Sequence, residues 1–193
     1  MTAALSEFRP PASGWTTNDL DALPDDGIRR ELIDGVVFVS PSPTANHQII
    51  AMRLGVALDE SCPQEWVVTQ GVEIRISTVR SLTPDILVTT ASAAARNPSR
   101  FEPHEVVLAV EVVSPTSRAM DRVMKPALYA QAGVPLYWRV ETEDGIIVHT
   151  HRLDPARELY APTGEYASTV ECDEPWPISI PIARLTPRRL AVD

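Results

Sequence analysis

PDILV at 84–88, VVLAVEVVSPTS at 106–117 and DRVMKPALY at 121–129 are the runs on which the reading of this chain turns. Two acids stand inside apolar, strand-like segments: Asp85 at the head of one, Glu111 between Val110 and Val112 in the next. A carboxylate in a buried strand is costly unless something pairs with it. An ion pair with an arginine and ligation of a divalent metal at a sheet edge both satisfy Glu111. Asp85 after a proline is also a common turn residue. Lys125 lies four residues after Asp121, which on an unbroken helix makes an exposed pair worth little. Tyr129 continues that face.

The surrounding chain reads as scaffold. Residues 1–14, with Pro10, Pro11 and Gly14, read as a disordered or loosely draped arm. Thr16–Leu23 opens as a short capped helix and Pro24 stops it. Arg29–Ser40 (RRELIDGVVFVS) is a hairpin around Asp34-Gly35, with Glu31 on its first arm. Thr44–Glu60 carries Ile50, Leu54, Ala57 and Leu58 at helical spacing, with His47 in its first turn. Trp66–Ile76 and Ser81–Thr89 read as two strands, and Ala91–His104 as a loop. Glu105–Val113 is nearly continuously apolar, as a strand covered on both faces would be. A helical segment reaches Ala132, with Pro126 either kinking or starting it and Gly133 as cap. Strands follow at 134–140, 146–152, 158–160 and 166–170, with a turn at Thr163-Gly164. An edge strand lies within Trp176–Leu185. This pattern predicts a mixed α/β (α+β) domain over residues 15–185, followed by a tail at 186–193.

Composition narrows the function classes. With 193 residues, 44% hydrophobic and 22% charged, the chain reads as one globular domain with a real core. No apolar run approaches the roughly 20 residues of a membrane span. The N-terminus lacks the basic head and apolar core of a signal peptide, so the expected compartment is the cytoplasm. Cys62 and Cys172 have no metal spacing and no disulfide is expected. The net charge of −9 argues against a bulk electrostatic grip on nucleic acid. Bound divalent cations would reverse the local sign. No nucleophile elbow, P-loop or CxxC pattern is present.

The PD pair followed by an acid in the next apolar strand resembles the PD-(D/E)XK nuclease superfamily, with its restriction-endonuclease-like core. More closely, ELIDG at 31–35, His47 opening a helix, PDILV at 84–88, VEVVSPTS at 110–117, Asp121 to Lys125, and Tyr129 to Trp138 resemble the Uma-two family of bacterial endonuclease-like proteins. The resemblance covers roughly residues 15–150. It implies a central mixed sheet flanked by helices, after an N-terminal helix and hairpin. It implies Asp85 and Glu111 as metal-ligating acids, the Val112 carbonyl as a further ligand and Glu31 as an extra acid. The superfamily's lysine belongs two residues after the second acid, where this chain has Val113. The family resemblance moves that role to Lys125. His47, Asp121 and Tyr129 are supporting residues in this reading.

The resemblance therefore implies hydrolysis of DNA phosphodiester bonds with Mg²⁺, or Mn²⁺ in its place. Asp85 and Glu111 are expected to be ionised, and Lys125 to orient or deprotonate water. The alternative is a catalytically weak or inactive nuclease-fold protein that binds nucleic acid or another protein. That reading expects a basic groove around Arg96, Arg100, Arg118 and Arg122. The nuclease reading expects Lys125 to converge with Asp85 and Glu111. A homodimer would let two sites address two strands, with Trp176, Ile178, Ile180 and Ile182 as interface or as an ordinary edge strand.

Overall fold

A computed structural model describes residues 11–24, 26–39 and 42–187. Most of the expected N-terminal arm, residue Asp25 of the first turn, the end of the hairpin at Ser40-Pro41 and residues 188–193 of the tail lie outside the described residues.

Local chemistry sets the first elements. α1 (Thr17–Asp21) starts in a capping box, with Thr16 Oγ accepting from the Asp19 amide and the Asp19 carboxylate accepting from the Thr16 amide. β1 (Arg30–Ile33) and β2 (Val36–Val39) pair antiparallel around Asp34 and Gly35, at φ 50° and 79°. Two successive positive φ values match the right-handed twist of a two-residue hairpin. α2 (Ala45–Asp59) is capped by Thr44, whose hydroxyl accepts from the His47 amide at 3.3 Å and so fixes where His47 begins the helix.

The strand expected over Trp66–Ile76 is broken at Gly71 (φ 63°) into β3 (Trp66–Gln70) and β4 (Glu73–Ser77). The next one is broken at Thr83-Pro84-Asp85 into β5 (Arg80–Leu82) and β6 (Ile86–Thr90). Each break carries the chain from one sheet to another. A five-stranded sheet runs β2-β1-β5-β4-β7, where β7 is Arg100–Phe101. The expected loop over Ala91–His104 contains β7, the short α3 (Ala91–Ala94) and the start of a 3-10 turn at Pro103–Glu105.

The six-stranded mixed sheet runs β11-β10-β9-β8-β6-β3, with β8 (Val106–Val112), β9 (Leu136–Glu141), β10 (Ile147–Asp154) and β11 (Leu159–Tyr166). β8 and β9 are parallel, and the crossover between them carries α4 (Lys125–Gln131). The turn expected at Thr163-Gly164 is a bulge within β11. Thr150 pairs with Gly164 and His151 with Pro162, which leaves Thr163 as the extra residue.

The C-terminal segment forms β12 (Thr169–Cys172) and β13 (Ile178–Pro181). Trp176, Ile178, Ile180 and Ile182 are buried in the core beside α2, so they are not free to form a dimer interface. Trp176 also donates its indole N–H to Ser61 at 3.0 Å. Both cysteines are free thiols. Among the described residues, no helix is long and apolar enough to cross a membrane.

β8 divides the two cores. Strand alternation turns Leu108, Val110 and Val112 toward α2 and the C-terminal hairpin. It turns Ala109 toward a second cluster containing Leu128 and Tyr129 of α4 and Tyr137 of β9, and a register shift in the β6–β8 pairing brings Val106 to the same cluster. Glu111 falls on that second face.

Candidate active site

Four elements meet where the two sheets adjoin. β1 brings Glu31, the β5–β6 connection brings Asp85, the end of β8 brings Glu111 and Val112, and the start of α4 brings Lys125. Glu31, Glu111, Asp121 and Lys125 are each at most 5% exposed.

Lys125 is the centre of the cluster. Its Nζ lies 3.1 Å from both oxygens of Glu111, 3.0 Å from Glu31 Oε1 and 3.8 Å from Asp121 Oδ1. Tyr129, one turn along α4, donates its hydroxyl to Glu111 at 2.8 Å. Glu31 also accepts the Thr83 amide at 2.9 Å, which ties the hairpin to the β5–β6 connection. The Asp121–Lys125 pair, expected at the surface, is buried instead. The chain between them is a turn of π-helix, Met120–Met124, closed by the Lys125 amide bonding to the Met120 carbonyl. Both side chains are buried. Asp121 is held by the Ser117 hydroxyl.

Pro126 stands in the first turn of α4, so it starts that helix rather than kinking it. It has no N–H with which to continue the π ladder to the Asp121 carbonyl. That carbonyl instead accepts the Tyr137 hydroxyl at 2.6 Å.

Asp85 faces a different set of partners. Its Oδ1 meets Arg29 Nη1 at 3.2 Å, and its Oδ2 meets His47 Nε2 at 3.1 Å and the Val112 amide at 2.8 Å. Its own amide bonds to the Val110 carbonyl, which fixes it to β8. Val112, singled out in sequence for its carbonyl, thus also engages Asp85 through its N–H.

Arg29, Thr83, Ser117 and Tyr137 take part without having been singled out in sequence. Ser117 had a local signal, one helical turn before Asp121. Arg29 had only its place beside ELIDG.

The charges do not balance. Glu31, Asp85, Glu111 and Asp121 can carry four negative charges against the fixed positive charges of Arg29 and Lys125. Burial pushes the Glu111 carboxyl up, and the carboxylates of Asp85, Asp121 and Glu31 add to this against the pull of Lys125, so that it reaches about 8. Burial thus favours the protonated form of Glu111, while the Lys125 ammonium and the Tyr129 hydroxyl, which both donate to it, favour the carboxylate. Asp121 is raised for the same reason, burial first. Asp85 goes the other way. Burial opposes its ionisation, but the hydrogen bond and charge of His47, the Arg29 guanidinium and the Val112 amide together hold it at about 2. Lys125 is penalised by burial, yet Glu111, Glu31 and Asp121 raise it above its usual value.

The donor set fits a hard divalent cation: carboxylate oxygens and a backbone carbonyl, with negative charge in excess. Among the described residues, no three His, Cys, Asp or Glu side chains already form a cation cage. Their lone pairs are engaged by Lys125, Arg29 and His47.

The four arginines of the expected basic groove are each ion-paired. Arg96 pairs with Glu105, Arg100 with Asp21 at 3.0 Å, Arg118 with Glu143 at 2.6 Å and Arg122 with Glu141 at 2.8 Å.

Comparison with known proteins agrees with this architecture. The Uma2 family model, described as "Putative restriction endonuclease", matches residues 17–180. The crystal structure of "a putative nuclease belonging to DUF820 from Anabaena variabilis" aligns with a TM-score of 0.68 at 17% identity, covering 88% of this chain and 96% of that one. At that identity the likeness establishes the fold. No curated protein matches the chain significantly.

Proposed function

Because this chain belongs to the Uma2 family of restriction-endonuclease-like proteins, we propose that it is a metal-dependent endonuclease hydrolysing DNA phosphodiester bonds with Mg²⁺, for which Mn²⁺ substitutes. The observation that carries this reading is the approach of Lys125. The superfamily's lysine position is filled by Val113, which is 4% exposed, yet an ammonium reaches both oxygens of Glu111 from the following helix.

Asp85, Glu111 and the Val112 carbonyl would hold the cation, with Glu31 beside them. When bound, the cation supplies the charge that polarises the phosphate and acidifies a coordinated water. Ligation uses Glu111 in its ionised form. Lys125, with its ammonium held protonated by three carboxylates, is suited to donate hydrogen bonds to the attacking water and to the developing charge on phosphate rather than to take a proton. Tyr129 keeps the Glu111 carboxylate oriented toward the lysine, and Asp121 with Ser117 keeps the lysine's turn in place.

Plasmid cleavage tests this. Wild type should nick supercoiled DNA with Mg²⁺ or Mn²⁺ and not with chelator, while Asp85→Ala and Lys125→Ala should be silent. Equal cleavage by all three proteins would assign the activity to another site.

A further inference from the structure

We propose that Arg29 is a provisional counter-cation, holding the metal's place on Asp85 until a divalent cation displaces it. This rests on the reading of Asp85 as a metal ligand. Four observations point to it.

First, the two cations of the site differ in kind. Lys125 is sealed, with its side chain 6% exposed and three carboxylates around it, whereas the Arg29 side chain is 35% exposed. Second, the Arg29 hold on Asp85 is slight. A guanidinium commonly grips a carboxylate through two parallel bonds. Here a single contact at 3.2 Å is made by Nη1, while Nε is buried without a partner. Third, Arg29 lies outside β1 (Arg30–Ile33), in the connection that leads into it. Fourth, among the described residues the Asp85 oxygen it covers, Oδ1, has no other hydrogen-bond or ion-pair partner, since His47 and Val112 both use Oδ2. The Arg29 contact therefore occupies the lone pairs that a metal at this carboxylate would take.

The consequence is a site that stays closed and partly neutralised without metal, at the expense of metal affinity. Arg29 is a positioning residue in this account, and loss of its charge should tighten metal binding. A purely structural arginine would have the opposite effect, because its removal would loosen the site.

The test uses Mn²⁺ alone, with free ion counted by electron paramagnetic resonance, on wild type, Arg29→Gln and Asp85→Asn. Arg29→Gln should bind Mn²⁺ about tenfold more tightly than wild type, the scale of one charge-assisted contact, and Asp85→Asn should lose binding. Unchanged or weaker binding by Arg29→Gln, with Asp85→Asn still deficient, overturns the role of Arg29 and leaves the metal reading standing. Wild-type binding by Asp85→Asn removes the metal reading and this proposal with it. A measurement on the unaltered protein covers the case in which Arg29→Gln does not fold. The buried Arg29 Nε–H should give a protected ¹⁵N signal that shifts or exchanges away on adding Mg²⁺. A signal unmoved at saturating Mg²⁺ overturns the proposal.

Discussion

Glu111 and Val112 are neighbours on β8 and are each 1% exposed. Val112 faces α2 and the C-terminal hairpin across a core of Leu54, Leu58, Val110 and Ile180. Glu111 faces α4, where it meets Lys125 and Tyr129. Equal burial therefore has opposite energetic meaning on the two sides of one strand. On the first face it removes apolar surface from water and stabilises the fold. On the second it strips water from a carboxylate, and the ammonium and hydroxyl only partly offset that cost. The dry face supports the structure, and the charged face holds an unbalanced cluster that a cation would complete.

The comparison breaks most sharply at Lys125. Replacing it with methionine strands buried acids and removes the donor proposed for phosphate. Lys125→Met should lose about 3–5 kcal/mol of stability and about 10³-fold in single-turnover cleavage, read by urea denaturation and plasmid nicking. Stability equal to wild type would mean that the ammonium is not what makes the charged face tolerable. On the dry face, Leu54→Ala should cost about 2–5 kcal/mol through the cavity it leaves. Cleavage per folded molecule should stay at the wild-type rate. A selective loss of activity there would show that the two faces are coupled.

A smaller effect sharpens the contrast through pH. Glu111 titrates near 8 when folded, against an ordinary 4.5, so the folded protein keeps a proton that the unfolded chain has released. The stability this contributes is whole below 4.5 and is lost as pH rises through about 8. Asp85 has the reverse sign. Its contribution is present above 3.8 and is lost as pH falls through about 2. In metal-free buffer the urea midpoint of wild type should therefore fall between about pH 5 and 8, while Glu111→Gln should flatten that slope. An identical slope in both proteins would place the titration elsewhere.

Much of the site was legible because its acids interrupt apolar runs. A charge at Glu111 between Val110 and Val112 demands a partner whatever the fold, and Thr44 and the apolar stripe mark α2 and hence His47. The two strand breaks were hidden by the same kind of signal. Apolar alternation continues through Gly71 because Val68 and Ile74 are both packed into cores, though in different clusters. Alternation reports burial and does not report which sheet a residue joins. The burial of Lys125 was obscured because helical spacing places Asp121 and Lys125 on one face without saying whether that face meets solvent or the core. Arg29 was out of reach for another reason. Its partner Asp85 lies 56 residues away, and only the meeting of the two sheets brings them together.

The central claim is that the charged face of β8 is a cation site. Crystals soaked in Mn²⁺ test it through anomalous scattering. A peak is expected at about 2.1 Å from Asp85 and Glu111 oxygens and the Val112 carbonyl, with Arg29 turned away from Asp85. A map at saturating Mn²⁺ with no peak there, and Arg29 still on Asp85, would contradict the account.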